Sequence, residues 1–161
     1  MANEAVIVDR EEQLVVFRLQ REHYGVPIAS VREIIRWQEV THLPHTPEFV
    51  EGVINLRGTV IPVIDLARRF DMGAAEATSE TRIVVVDIAS HLVGMVVDSV
   101  SEVLRLATDA IEPPSVIGSS VNVEFLRGVG KAGDRLIVML DLDKVLSTGE
   151  RKALAGVSGE A

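Results

Sequence analysis

The stretch Val50–Phe70, VEGVINLRGTVIPVIDLARRF, contains more structural signals than any other part of the 161-residue chain. Two apolar runs, 52–56 and 60–66, flank the turn Arg57-Gly58-Thr59, and this pattern is typical of a β-hairpin. A short helix is predicted immediately after the second run, over 67–70. The stretch contains no catalytic triad and no metal cluster, so a bare hairpin carries the most characteristic sequence of the chain.

Runs with strand-like length and composition occur along the rest of the chain as well. They are apolar or alternate between apolar and polar residues, which favours strands over helices. These runs lie at 13–19, 23–28, 82–88, 91–97 and 136–142. Apart from 67–70, only 142–146 has a short helical pattern. The sequence therefore predicts a mainly β protein with short helices.

Two segments occur twice in the same order, which indicates an internal repeat. Phe17–Arg36 overlays Val86–Arg105 without a gap, and Phe49–Leu66 overlays Phe125–Leu142. Each half has about five predicted strands, and closing such a sheet into a small barrel removes its exposed edges. Because each half alone would bury only a marginal core, we expect two similar small barrels packed over a shared apolar seam.

The repeat also suggests where the domain and its lobes begin and end. We expect one domain at 11–150, with a first lobe at 13–78, a second lobe at 79–147, and flexible tails at 1–10 and 151–161. Ser30-x-x-Glu33 and Ser99-x-x-Glu102 match the capping box of a helix start, although the residues that follow favour strands. At both places we predict a helical turn that ends near Val31 or Val100 and is followed by a strand.

The composition is that of a packed cytoplasmic protein. Hydrophobic residues make up 47% and charged residues 25% of the chain, and there is no cysteine to form disulfides or act as a thiolate. The apolar runs are far shorter than the ~20 residues that span a bilayer, and the N-terminus does not match a secretory signal. A net charge of −8 with 4% aromatic residues disfavours a nucleic-acid surface.

No pattern of residues predicts catalysis, a metal or a cofactor. His42 and His45 lie in a proline-rich connector without a third ligand nearby, and Asp141-x-Asp143 is an ordinary helix-capping arrangement. The serines have no G-x-S-x-G setting, and no glycine-rich phosphate loop precedes a long helix. A small-ligand-binding β-barrel sensor is an alternative, but it would need a cavity with converging polar groups.

A set of motifs in both halves connects the chain to a known family. In the first half they are Tyr24-Gly25, Val31-x-Glu33-Ile34, Thr46-Pro47, Gly52–Gly58 and Pro62–Leu66; in the second half they are Val93-Gly94, Val97-Asp98-x-Val100, Val103-Leu104 and Gly128-x-Gly130. With these motifs, residues 13–147 resemble the CheW family of coupling proteins of bacterial chemotaxis. The N-L-R-G…P-V-I-D-L unit is the most specific part of the resemblance.

The resemblance implies two SH3-like five-stranded β-barrels and a scaffold without enzymatic activity or cofactor. Members of the family join methyl-accepting chemoreceptors to the histidine kinase CheA in membrane-associated receptor arrays. The resemblance implies that the helical tip of the receptor binds an apolar groove between the lobes. It also implies that the regulatory domain of CheA packs against the lobes. A coupling protein of a non-flagellar system, such as pilus-driven motility, would show the same motifs.

The resemblance also implies which residues bind partners: Val31, Glu33, Arg57, Val100 and Val103. In the family, the arginine at the position of Arg57 pairs with the glutamate at the position of Glu33. This pair either lies at the partner surface or is a partly buried ion pair that orients two strands. The three valines either line the groove or belong to the core, where β-branched residues of strands are usually found.

Four glycines, Gly52, Gly58, Gly94 and Gly128, are expected at turns or close backbone contacts near the partner surface. Glycine in or beside a strand marks a turn, a bulge or a place where another chain segment approaches closely. A larger side chain at these positions could block a partner, but a role in folding explains the glycines more directly.

Overall fold

The chain folds into two β-sheets with a few short helices, which confirms the predicted mainly β class. The computed structural model describes residues 11–73, 76–113 and 125–155. The strands are β1 Glu11–Leu19, β2 Glu22–Pro27, β3 Val31–Arg36, β4 Val50–Leu56, β5 Thr59–Asp65, β6 Arg82–Ile88, β7 His91–Val97, β8 Ser99–Ala107, β9 Ile111–Glu112, β10 Leu126–Ala132 and β11 Arg135–Leu140. The helices are α1 Leu66–Arg69, α2 Leu142–Val145 and α3 Thr148–Ala155, with 3-10 turns at Ile28–Ser30 and Thr108–Ala110.

Each sheet is built from both halves of the repeat. The first sheet has the strand order β8-β1-β2-β11-β10-β9, and the second has the order β3-β6-β7-β5-β4. The chain passes between the sheets through the turn Ile28–Ser30 and through Asp98, so β3–β7 form the second sheet, while β1–β2 and β8–β11 from the two ends of the chain form the first. The sheets therefore do not follow the expected lobes at 13–78 and 79–147. A repeat shows which strands are equivalent, but it does not show with which copy each strand pairs.

The two sheets repeat each other in detail. Strand β3 has a bulge at its second residue, and strand β8 has one at its third residue. These bulges leave Val31 opposite Val86 in the second sheet and Val100 opposite Phe17 in the first. Bulges bend a strand and increase its twist, which lets a small sheet curl. In the first sheet the curl brings Leu106 on β8 against β10. The overlay of Phe17–Arg36 on Val86–Arg105 is thus confirmed as a structural repeat.

The predicted helical turns differ between the halves. The 3-10 turn Ile28–Ser30 directly precedes Val31, which confirms the first prediction. The second prediction is wrong, because β7 and β8 are separated only by Asp98. The backbone N–H of Asp98 donates to the carbonyl oxygen of Arg18 at 3.0 Å, so the backbone bonds to β1 instead of closing a helical turn.

The core has three parts, of which the largest lies between the two sheets. This seam cluster includes Phe17, Tyr24, Ile64, Val84 and Met95, with side chains contributed by both sheets. Smaller clusters fill the other face of each sheet, around Ile61 and Val85 in the second sheet and around Leu14 and Ile137 in the first. Full burial of one such side chain stabilises the fold by about 1.5–3 kcal/mol. Because the seam cluster needs both sheets, we expect the two lobes to fold as one unit.

Four aromatic rings form a continuous chain through the seam. Phe17 stacks on Tyr24 at 6.1 Å between ring centroids, Tyr24 on Phe70 at 6.0 Å, and Phe70 contacts Phe125 at 5.3 Å. Burial raises the pKa of Tyr24 to about 12, and the negative charge of Glu22 acts in the same direction. The phenol is therefore held in its neutral form inside the seam.

This pKa predicts that alkali weakens the fold. An unfolded tyrosine ionises near pH 10, so between about pH 10 and pH 12 only the unfolded chain releases this proton. Tyr24 should therefore lower the free energy of unfolding by about 1 kcal/mol at pH 11, relative to pH 9. Urea denaturation of the wild type and of Tyr24→Phe at both pH values tests this. An equal drop in the two proteins would contradict the prediction.

Arg69, at the end of α1, joins several parts of the chain. Its guanidinium lies 4.7 Å from the ring centroid of Phe49 and 4.8 Å from that of Phe125, which are equivalent residues of the repeat. Its Nε donates to the carbonyl oxygen of Val145 at 2.7 Å, and its Nη2 lies 3.1 Å from Oε1 of Glu150. The residue thus holds α3 against the seam.

The C-terminal tail begins later than predicted, because residues 151–155 continue α3. Ser147 and Glu150 form a capping box in which each backbone N–H donates to the side chain of the other, at 2.7 and 3.1 Å. This cap and the contact with Arg69 stabilise the start of the helix. The predicted tail at 1–10 and the remainder of the C-terminal tail lie outside the described residues.

Candidate functional site

The predicted partner-binding residues lie mainly on β3 and β8, each of which is an edge strand of its sheet. Val31 and Glu33 are on β3, and Val100 and Val103 are at the equivalent end of β8. Val31 and Val100 are half-buried and pack against the seam cluster. The structure therefore places these two valines at the edge of the core with part of each side chain accessible, and their role in partner binding stays a prediction.

Val103 is clearly a surface residue, with 54% of its area exposed. It pairs with Val15 of the seam cluster and so lies on the face of the first sheet that is directed at the seam. Ile34 has the same position in the second sheet, opposite Val84, and is 40% exposed. The two side chains extend the apolar faces of the seam into solvent.

Ile34 belongs to one of the family motifs, but the sequence does not mark it as a partner-binding residue. The overlay of Phe17–Arg36 on Val86–Arg105 places Ile34 on Val103, so the repeat contained the signal. A β-branched residue in a strand is usually buried, and only the structure shows that this pair is at the edge of the core. Ile34 therefore joins Val103 as a candidate contact.

Glu33 and Arg57 form the ion pair that the family resemblance implied. Nη1 of Arg57 donates to both carboxylate oxygens of Glu33, at 2.9 and 3.0 Å, and Nη2 donates to Oε1 at 2.5 Å. The side chain of Arg57 is 67% exposed and that of Glu33 is 31% exposed. This exposure favours a surface role over a buried ion pair that orients strands, because exposed pairs add little stability. Glu33, Ile34 and Arg57 are called the first rim below.

The backbone of Arg57 is held in an unusual conformation. Arg57 and Gly58 form the two-residue turn between β4 and β5, with φ values of 51° and 87°. The side chain of Asn55 accepts from the N–H of Gly58 at 2.8 Å. Such turns favour Asn-Gly, so an arginine in the left-handed region costs conformational energy. Strain of this kind is often found at functional positions.

This geometry allows the two interpretations of Arg57 to be separated. Arg57→Asn removes the ion pair but introduces the residue that the turn favours. We expect the free energy of unfolding to change by less than about 1 kcal/mol, since the lost pair is exposed and the turn improves. Chemical denaturation measures this change. A loss above about 3 kcal/mol would show instead that the pair orients the strands.

Arg32, the bulged residue of β3 next to Glu33, also forms an ion pair. Nη2 of Arg32 donates to Oδ2 of Asp87 on β6 at 2.8 Å. This hydrogen bond holds the pKa of Asp87 below its usual value, so the carboxylate stays ionised at neutral pH. Both charged residues at the start of β3 thus have partners, and the strand presents Ile34 as its exposed apolar side chain.

Three of the four predicted glycines lie inside the fold instead of at a partner surface. Gly52, Gly94 and Gly128 are buried, and a Cβ added to any of them would be within 3 Å of another residue. Gly58 is exposed, with nothing within 4 Å of an added Cβ. The structure thus supports the folding explanation for the buried three and leaves Gly58 beside the first rim.

The part of the chain that the structure describes contains no group of His, Asp and Glu side chains that could hold a metal ion. His42 and His45 are both exposed. A hollow of about 550 Å³ lies near α1 and is lined by charged residues and two phenylalanines, outside the two filled sheet interiors. These features do not favour the small-ligand barrel. None of the described helices has the length and apolar composition to cross a membrane.

The comparisons with known proteins agree with the motifs. The family model for the CheW-like domain matches residues 13–150. A chemotaxis protein CheW from Rhizobium meliloti is 40% identical over 88% of this chain and 91% of its own length. The chemotaxis protein CheW from Klebsiella aerogenes is 35% identical, over 91% and 89%. Protein FrzA from Myxococcus xanthus is also 35% identical, over 90% and 91%.

A solved structure shares both fold and sequence with this chain. The crystal structure of the scaffolding protein TtCheW from Thermoanaerobacter tengcongensis matches 88% of this chain and 91% of its own. The TM-score is 0.80 and the sequence identity is 37%. The prediction of a scaffold instead of an enzyme is confirmed by this relationship. From its motifs, its fold and these similarities, the chain belongs to the CheW-like family of chemotaxis proteins.

Proposed function

We propose that this chain is an adaptor that couples methyl-accepting chemoreceptors to the histidine kinase CheA. The observation that carries the proposal is the first rim, where an exposed bidentate ion pair adjoins the exposed apolar side chain of Ile34 in a CheW-like protein. An exposed apolar strip of this kind suits an amphipathic helix of a partner. The receptor tip binds there, and the chain is held in the cytoplasm at membrane-associated receptor arrays.

The adaptor works through position and contact. The seam cluster locks the two sheets together, so β3 and β8 keep a fixed separation while a receptor is bound. The regulatory domain of CheA packs on the outer surface of the lobes, which leaves the first rim and Val103 available to the receptor. Each contact can be of modest affinity, because many linked contacts in an array add avidity.

Reconstitution of kinase activation tests the proposal. Autophosphorylation of CheA is measured with receptor signalling fragments and this protein, with each of the three components omitted in turn. We expect strong phosphorylation only in the complete mixture, and an unrelated protein at the same concentration should not replace the adaptor. The proposal fails if the protein binds neither partner, or if it turns over a nucleotide by itself.

The similarity to Protein FrzA supports a second candidate, a coupling protein of another chemosensory system. FrzA and the Klebsiella CheW are both 35% identical to this chain, so this identity alone does not separate the two systems. Deletion of the gene separates the two candidates: loss of chemotactic swimming with normal surface motility supports flagellar control. Loss of pilus-driven movement with normal swimming supports the second candidate.

A further inference from the structure

Arg69 reaches across the seam from the second sheet to the first. The residue ends α1, which directly follows β5 of the second sheet. Its Nε donates to the carbonyl oxygen of Val145 in α2 at 2.7 Å, and its Nη2 lies 3.1 Å from Oε1 of Glu150 in α3. Both of these helices follow β11 of the first sheet. The hydrogen bonds of Arg69 therefore join the two sheets in addition to holding α3.

The guanidinium of Arg69 lies midway between the two halves of the repeat. Phe49 and Phe125 are equivalent residues, and their ring centroids are 4.7 and 4.8 Å from the guanidinium carbon. When the overlay of Phe49–Leu66 on Phe125–Leu142 is continued by three residues, Arg69 aligns with Val145. Arg69 thus donates to the backbone of its own equivalent residue, at the place where the two halves meet.

The two halves fill this meeting place with different chemistry. Val145 and Leu146 of the first sheet's helix are apolar, fully buried and part of the seam cluster. Their equivalents in α1 and at its end are Arg69 and Phe70. Since valine provides the buried contact in one half, burial alone does not require arginine in the other. What arginine adds is hydrogen bonding, which is directional, whereas apolar contact is not.

Most of the contact across the seam has no preferred direction. The seam cluster consists of apolar side chains and stacked rings, which can slide or rotate by small amounts without losing their burial. Nε2 of Gln20 also donates across the seam, to the carbonyl oxygen of Met72 at 2.8 Å, but this hydrogen bond is exposed and water competes for it. The side chain of Arg69 is only 19% exposed, so its directed bonds are better protected.

We propose that Arg69, with Phe49 and Phe125, is a joint that sets the angle between the two sheets. The seam cluster holds the sheets together, and the hydrogen bonds of Arg69 select one angle from those that apolar packing permits. Without these bonds the sheets rotate against each other over a wider range. The joint is a property of the chain alone and does not depend on the proposed function.

Distances between spin labels test the joint directly. The chain contains no cysteine, so introduced cysteines carry the labels without background. Thr59→Cys labels β5 of the second sheet, and Asp134→Cys labels the β10–β11 turn of the first; both positions are exposed, and neither is on α3. Double electron–electron resonance should give one narrow distance distribution. Adding Arg69→Met should make it about twice as wide, because methionine fills the space between the rings but donates no hydrogen bond.

Two controls accompany this measurement. Arg68→Met makes the same substitution at the neighbouring position, whose side chain is 42% exposed, and it should leave the distribution unchanged. A second label pair, Thr59→Cys with Arg36→Cys, lies within the second sheet at two exposed positions. Its distribution should stay narrow in every variant, which shows that the sheet itself is intact.

Arg69→Lys replaces Arg69→Met if methionine broadens the distribution within the second sheet as well. Lysine keeps a cation near the rings, but its ammonium lacks the planar fork that reaches Val145 and Glu150 together. We expect Arg69→Lys to broaden only the distribution that spans the two sheets.

Two results would overturn the inference. The first is a distribution across the sheets that stays as narrow as that of the wild type when Arg69 is replaced and the second sheet is intact, because apolar packing would then set the angle. The second is a broad distribution in the wild type, because no angle would then be fixed. Neither receptor nor kinase takes part in the measurement, so the joint and the proposed function can fail independently.

Discussion

Replacing Gly52 with alanine is expected to lower the free energy of unfolding by at least about 3 kcal/mol. A Cβ at this position would lie 2.0 Å from the carbonyl oxygen of Thr41 and 2.9 Å from a methyl group of Val40. Thr41 and Val53 exchange two backbone hydrogen bonds at 2.9 and 2.8 Å, so the clash is with backbone that is fixed in place. The backbone must move to admit the methyl group.

The backbone angle of Gly52 adds a second penalty. Its φ is 147°, a conformation that residues with a side chain rarely adopt. Gly52 lies at the bulge between β4 and β5, where two residues oppose one residue of β5. Alanine would either adopt a strained backbone or remove the bulge, and both outcomes destabilise the hairpin that contains the first rim.

Gly58→Ala provides the matched control for this prediction. Gly58 also has a positive φ, of 87°, but an added Cβ would meet nothing within 4 Å. Its substitution should therefore cost only the conformational penalty, about 1 kcal/mol. Urea denaturation of both variants gives the comparison. Equal losses would mean that the contact with Thr41 is unimportant and that backbone strain alone fixes these glycines.

The strands could be predicted from the sequence because their side chains alternate and their turns are short. The hairpins β4–β5 and β6–β7 follow directly from apolar runs around two-residue connections. Strand β10 is not among the predicted runs, since LRGVGKA has little alternation, and only the overlay of Phe49–Leu66 on Phe125–Leu142 indicates it. Strand β9 has two residues and pairs only with β10, so no local pattern could indicate it.

The exchange of the hairpins β1–β2 and β6–β7 between the two halves could not be predicted, for a physical reason. Pairing of β3 within its own half and pairing with β6 would bury the same apolar face, so hydrophobic patterning permits both. The short connections at Ile28–Ser30 and Asp98 determine the outcome, because each redirects the chain into the other sheet. The predicted lobe boundaries failed at this point, although the predicted strands did not.

The candidate site shows the same limit at the level of side chains. Glu33 and Arg57 could be paired from the family resemblance, and the repeat leads from Val103 to Ile34. No alignment leads from Arg57 to Arg135, because the repeat puts a glycine opposite Arg57. The ion pair between Arg135 and Glu102 of β8 depends on how the β10–β11 hairpin curls towards β8, which is a property of the folded sheet.

The second large effect is expected for Arg69→Ala, which should lower the free energy of unfolding by about 2–4 kcal/mol. The guanidinium is largely buried between Phe49 and Phe125, where cation–π contacts are stronger than in water. Alanine leaves a cavity between the rings. It also leaves the carbonyl oxygen of Val145 and the carboxylate of Glu150 without a donor that they use in the native fold.

Arg68→Ala is the control, because it removes the same charge from the neighbouring position. The side chain of Arg68 is 42% exposed, and its contacts with Asp65 and Glu48 are longer, at 3.8 and 3.3 Å. We expect Arg68→Ala to cost clearly less than Arg69→Ala, because the contact with the buried Asp65 is long and Asp65 keeps its hydrogen bonds from the backbone N–H groups of Ala67 and Arg68. A similar loss in both variants would show that the charge, and not the position between the rings, stabilises the protein.

Hydrogen exchange tests how Arg69 acts. If Arg69 holds α3 to the seam, the backbone N–H of Arg151, which donates to the carbonyl oxygen of Ser147 at 2.9 Å, should exchange much faster in Arg69→Ala. Amides of β6 and β7 at the centre of the second sheet should change only by the loss of global stability. Faster exchange at both places by the same factor would mean that α3 and the sheets unfold together, and that Arg69 is a part of the core rather than an attachment for the helix.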